Sequence, residues 1–159
     1  MTDLERDLQG VRTAQAVLIE RLTGLTDAQA RQPSLLPDWS VGHVLTHIAR
    51  NADGFRGMVE AAGRGESAPM YPGGMAQRNG DIDAGAGRSA TELVADVTTS
   101  DAALESAWDA LDDDAWQRGA GVAVTGPIPM RDVPGRRWRE VAVHHADLGL
   151  GYAWSDWPS

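Results

Sequence analysis

The sequence has 159 residues, of which 42% are apolar and 23% charged, the profile of one ordinary soluble domain able to close a single core. Fourteen basic side chains against 23 acidic ones give a formal charge of −9, which argues against a nucleic-acid backbone or an anionic membrane surface as partner. Cysteine is absent, so disulfides, thiolate metal sites and a cysteine nucleophile are excluded, and any thiol chemistry needs a thiol from outside.

The chain opens on Met1-Thr2-Asp3-Leu4-Glu5, acidic and without an apolar signal stretch, which predicts a cytoplasmic protein. No later run reaches the ~20 apolar residues of a membrane helix. Thr2 and Glu5 have capping-box spacing, and Leu4, Leu8, Val11, Leu18, Leu22 and Leu25 continue as one helical stripe. Thr26 and Gln29 repeat the box and predict a short helical turn. Pro33, Pro37 and Asp38 then break the pattern, leaving Leu35, Leu36 and Trp39 as an apolar plug over the bundle end.

Ser40 is the expected N-cap of a second long helix, about 41–62, with Val44, Leu45, Ile48, Ala52, Phe55 and Val59 in a 3–4 rhythm. Residues 63–87 are glycine-rich, with Pro69 and Pro72, and read as a long connection shortened by a helical turn around 75–82. Ser89 and Glu92 give a third capping box, ahead of a helix using Leu93, Val97, Leu104, Ala107 and Leu111. The acidic run 112–114 reads as a solvated face or turn. Residues 117–136 are a second crossover, with a short extended piece at 122–124. The last helix spans about 136–148 and stops at Gly149 and Gly151. Four helical segments with two long crossovers predict an all-α four-helix bundle, because period-2 runs are missing and strands do not alternate with helices. The six tryptophans read as core or end-plug residues.

All four histidines, His43, His47, His144 and His145, fall on two predicted helices. Glu140 and His144, four apart, leave one helix face a turn apart, the geometry for two ligands of one ion. His47 lies mid-helix in an apolar stretch and can supply a third ligand from a facing helix. Three protein ligands leave a position open, as catalytic sites do. Each feature has a plainer alternative: a core histidine, and a solvated Glu–His pair. His43 and His47 also have His-x-x-x-His spacing, but Val44 stands where a metalloprotease needs glutamate. No Gly-x-Ser-x-Gly elbow, phosphate loop or dinucleotide fingerprint is present. Arg78, beside Asn79 in the first crossover, can present a planar guanidinium to a carboxylate, with an exposed loop arginine as the alternative.

Three stretches together resemble a known family. Residues 36–54, from Leu36-Pro37-Asp38-Trp39 through His43 and His47 to Gly54, resemble a stretch of the mycothiol-dependent maleylpyruvate isomerase family, within the DinB-like metal-binding bundles. Met70-Tyr71 through Arg78-Asn79 and on to Arg88 is similar to its connecting segment, and residues 137–148 resemble its last-helix motif. The resemblance implies a DinB-like bundle holding a divalent metal, zinc being the ion this donor set suits best, on His47, Glu140 and His144. His43 and His145 are then neighbours of the ligands. It also implies mycothiol as thiol cosubstrate of a cis–trans isomerase acting on a small molecule; Arg78, from its own chemistry, is the candidate for holding a substrate carboxylate. A mycothiol S-transferase for detoxification or biosynthesis, and a non-catalytic metal-binding bundle, are the alternatives. Family isomerases carry a further, smaller C-terminal domain. The single domain expected over residues 1–159 leaves no room for it, so the second cation for a dicarboxylate is expected from that absent domain.

Overall fold

The computed structural model describes residues 1–156; Trp157, Pro158 and Ser159 lie outside them, as does the Trp154 side chain, and the core-or-plug expectation for these two tryptophans lies outside them too. All three expected capping boxes form. At the first, the Thr2 hydroxyl accepts from the Glu5 N–H at 3.2 Å while the Glu5 carboxylate accepts from the Thr2 N–H at 2.7 Å. It starts α1 (Asp3–Arg21), the Thr26 box starts α2 (Asp27–Arg31), and the Ser89 box starts α5 (Ala90–Ala110). The leucine stripe runs on to Leu25, but α1 stops at Arg21, and Gly24 then takes a left-handed conformation (φ 78°) that no leucine stripe can override.

Ser40 caps α3 (Val41–Gly63), the most buried helix, and α7 (Val133–Asp147) closes the set. Helix α7 begins three residues before the expected start. Pro134 sits in its first turn, where a missing N–H costs nothing. Helix α3 packs along α5 and α1 along α7, while α7 also meets α3 and α1 meets α5. The expected four-helix bundle is therefore present.

Both crossovers hold more structure than the sequence suggests. The first contains a twelve-residue helix, α4 (Gly74–Gly85), in place of a single turn. Ile82 is its one buried residue, so the sequence carries almost no apolar stripe to announce it. Its end lies so close to α3 that a Cβ at Gly42 would collide with the Ala86 carbonyl. The acidic run caps a short helix, α6 (Asp113–Arg118), through Asp112. The extended piece is wider than expected: β1 (Ala120–Ala123) pairs antiparallel with β2 (Gly126–Pro129). The Gly-Pro-Ile-Pro sequence of β2 hides a strand, since prolines are tolerated only where a ladder donor is not needed. In the plug, Leu36 and Trp39 pack on the core, but Leu35 is exposed.

The core is two apolar clusters, one around Val11, Phe55, Met58, Leu104 and Val133, the other around Leu18, Leu45, Ile48, Val97 and Val141. Between them lies a buried polar layer with one residue from each main helix: Gln15, Asn51, Asp101 and Arg137. Arg137 is fully buried. Its guanidinium donates to Asp101 at 2.6 Å, to Asn51 Oδ1 at 2.8 Å, to the Ile48 carbonyl at 2.9 Å and to Gln15 Oε1 at 3.3 Å. Burial raises the Asp101 carboxyl above its ordinary range even with Arg137 beside it. Such a pair adds little net stability, but stripping one partner leaves a buried charge uncompensated.

Arg137→Met is therefore expected to cost about 3–5 kcal/mol in urea unfolding, and the double variant Arg137→Met/Asp101→Leu less than the single one. A single variant melting like the wild type would contradict this role.

Candidate metal centre

The polar layer opens at one side into a cleft of about 360 Å3, lined from α3, α4, α7 and the hairpin. At its floor His47, from the middle of α3, meets Glu140 and His144 from α7. Donor atoms of all three lie within 4.8 Å of one another, the one His/Cys/Asp/Glu group of this kind among the described residues. His47 Nε2 is 3.0 Å from His144 Nε2 and 3.2 Å from Glu140 Oε2, and His144 Nε2 is 3.3 Å from the same oxygen. Three donors about 2.0–2.2 Å from one tetrahedral ion would stand about 3.3–3.6 Å apart, close to this triangle. The imidazole, imidazole, carboxylate set suits zinc or a neighbouring divalent ion.

The surroundings fix two of the donors. His144 Nδ1 lies 2.9 Å from Asp147 Oδ2. A carboxylate only accepts, so the ring proton sits on Nδ1 and the Nε2 lone pair faces the other donors, the arrangement that orients metal-binding histidines. Asn51 Oδ1 is taken by Arg137, so its amide nitrogen points at Glu140 Oε2, 3.4 Å away. Burial raises the Glu140 carboxyl, but hydrogen bonds and charge from His144 and His47 outweigh it and hold the group well below the carboxylate range. Burial depresses His47, with His144 and Arg78 adding to it against Glu140. Both directions favour the deprotonated donors a cation needs.

His47 is held differently. Arg78 Nη2 stands 3.2 Å from His47 Nδ1, and a guanidinium only donates, so the proton of this ring lies on Nε2 toward Glu140. Coordination through Nε2 requires that proton to move to Nδ1, and Arg78 must then give up its acceptor. The site thus fits a divalent ion on condition that Arg78 can turn into the cleft.

Arg78 lies on α4 rather than in an irregular loop, stacked over Trp39 with its guanidinium carbon 5.8 Å from the ring centroid. Trp39 in turn flanks both His43 and His47, so this tryptophan packs against the site's histidine as well as forming part of the plug. Asp38, at φ 64°, turns the chain into that position. His43 stays out of the trio: its Nδ1 accepts from the Ser40 N–H at 3.1 Å, completing the N-cap of α3. His145 faces away, buried and stacked on Tyr152 at 3.7 Å, and burial pushes it down to about 4. Neither belongs to the cluster of His47, Glu140 and His144. Asn51, Arg137, Asp147, Tyr71 and the hairpin residues Ala123 to Thr125 are parts of the site that sequence reasoning did not reach.

The family described as the mycothiol maleylpyruvate isomerase N-terminal domain matches residues 11–149. The chain belongs to this family. Two solved structures are similar to it over 99% of its length, each with a TM-score of 0.92: a mycothiol-dependent maleylpyruvate isomerase at 29% identity and a histidine-to-alanine mutant of such an isomerase at 28%. The chain spans 65% of the length of each. No curated protein matches it. No helix among the described residues is long and apolar enough to cross a membrane. The fold expected from the family resemblance is thus the observed one.

A trio that binds one ion predicts that zinc raises the melting temperature of the wild type, with about 2.7 kcal/mol of stabilisation at a hundredfold excess over Kd. His144→Ala should lose most of that shift in a thermal melt. Equal shifts in the two proteins would contradict the geometry.

Proposed function

We propose that the chain is a metal- and thiol-dependent cis–trans isomerase of the maleylpyruvate isomerase type, with mycothiol as the thiol, acting on a small unsaturated carboxylate. The observation that carries the reading is the convergence of His47, Glu140 and His144 at the floor of a cleft in a chain of this family. These three residues would hold a divalent ion, zinc in the first place. When bound, the ion supplies positive charge that keeps a thiol deprotonated at neutral pH.

The residues of the chain perform the remaining tasks. Asp147 and Asn51 keep His144 and Glu140 in their donor orientations. Arg78, freed from His47 once the His47 proton sits on Nδ1, holds a substrate carboxylate above the floor. Met70, Tyr71, Met75 and Phe55 line the cleft with apolar surface against which the carbon skeleton can turn. Addition of the thiol sulfur to the conjugated double bond leaves a single bond free to rotate, and expulsion of the same sulfur restores the double bond in the trans form. Arg78 fixes one end while the other rotates, and such orientation carries a large share of a barrier. The low-molecular-weight thiol is recovered unchanged, which suits a chain without cysteine.

The test is maleylpyruvate turnover by the zinc-loaded protein with mycothiol. The expected result is trans product formed only when thiol is present, with the thiol undiminished and with Arg78→Ala raising KM about tenfold or more. Stoichiometric incorporation of sulfur into the product would overturn isomerisation in favour of an S-transferase, and no thiol-dependent turnover would overturn both.

A further inference from the structure

The basic run at the start of α7 splits three ways. Arg137 points into the core, and Arg139 is exposed and absent from the cleft lining. Arg136 lines the cleft, one turn before Glu140 and two before His144 on the same stripe of the helix.

Charge accounting makes its position unusual. The chain is strongly acidic, and all 14 of its basic side chains are arginines. Nine of them lie within 4.0 Å of a carboxylate among the described residues. Arg136 and Arg78 are not among the nine, although Glu140 stands at the i+4 position where a partner for Arg136 would be expected. That carboxylate is turned to His47 and His144 instead. Among the described residues Glu140 is also the only acidic one lining the cleft. Arg78 and Arg136 are two of the five arginines without a carboxylate within 4.0 Å among the described residues, and a protein of net charge −9 brings both to one concave, partly apolar place, an arrangement that can focus an anion.

We propose that Arg136 is a second anion anchor of the cleft, so that the helical domain by itself holds both ends of a small dicarboxylate. In the bound cis form, before rotation swings the second carboxylate away, one carboxylate pairs with Arg78 from α4 and the other with Arg136 from α7, with the carbon chain lying over Tyr71 and Met75. On this reading the second cation need not come from a further domain. It rests on the reading of the cleft as a substrate site in which Arg78 is an anchor.

The test is calorimetric binding to the zinc-loaded protein, with maleate as a dicarboxylate probe and crotonate as its monocarboxylate counterpart. Arg136 is exposed, so its replacement leaves the fold intact. Arg136→Gln should weaken maleate about tenfold or more and change crotonate less than about twofold. Arg78→Gln should weaken both, and Arg136→Lys should recover part of the maleate affinity. Unchanged maleate binding in Arg136→Gln, with Arg78→Gln impaired, would overturn the second anchor and leave the substrate site standing. Loss in Arg136→Gln with none in Arg78→Gln would support Arg136 and remove Arg78 from the site. Failure of the wild type to bind maleate would overturn both.

Discussion

A single buried guanidinium organises this bundle. Arg137 lies at the level where the two apolar clusters meet, and it reaches a side chain on each of the other three main helices and a backbone carbonyl of α3. Apolar clusters alone tolerate sliding and rotation of helices, because dispersion and hydrophobic burial are not directional. Five donors in a rigid fork are directional. Placing them against Gln15, Asn51 and Asp101 sets the register of α7 against the rest, three residues before Glu140. The cost is that a charge pair sits where water cannot help it, so the layer specifies the arrangement more than it stabilises it.

The site inherits its geometry from that layer. Asn51 is shared: one end of its amide answers Arg137, and the other faces the Glu140 carboxylate. Because a buried amide with its oxygen committed to a guanidinium cannot flip, Glu140 is oriented by the same contacts that register the helices. His47 is one turn before Asn51 on α3, and His144 one turn after Glu140 on α7, so fixing Asn51 against Glu140 also sets the distance between the two imidazoles. The cleft above is completed by α4, whose end is tied to the bundle by Arg88. That arginine donates to the Gly85 carbonyl and to Asp96, which also accepts from Arg50 of α3. Arg78 is thereby carried on a held helix and not on a free loop.

What the residues disclose in advance follows from periodicity and capping. The four main helices could be read because each carries a repeated apolar face, and three of them start where a side-chain oxygen meets a reciprocal partner. The convergence of His47, Glu140 and His144 could be anticipated because i, i+4 spacing on one helix and an isolated polar residue in an apolar stretch are local patterns. Helix α4 could be read only as a turn around 75–82: only Ile82 is buried, and glycine at both ends disguises its full length. Strand β2 could not, because its prolines point away from any strand. The polar layer left a trace that composition and motif reading pass over. The α1 stripe jumps from Val11 to Leu18 and the α5 stripe from Val97 to Leu104, and the skipped core positions are Gln15 and Asp101. A polar residue at a core step of a helix is a long-range fact, since its partner lies on another helix. For the same reason nothing local distinguishes Arg136 from Arg137 or Arg139 until the rotation of α7 is known.

The side chains gathered by this layer are arranged to hold one divalent ion. Anomalous diffraction from crystals of the zinc-loaded protein tests it most directly. A single strong peak bounded by His47 Nε2, Glu140 Oε2 and His144 Nε2 is expected, with Arg78 turned away from His47 Nδ1. A peak elsewhere, or density in which Arg78 still donates to His47 Nδ1 while zinc sits on Nε2, would contradict it.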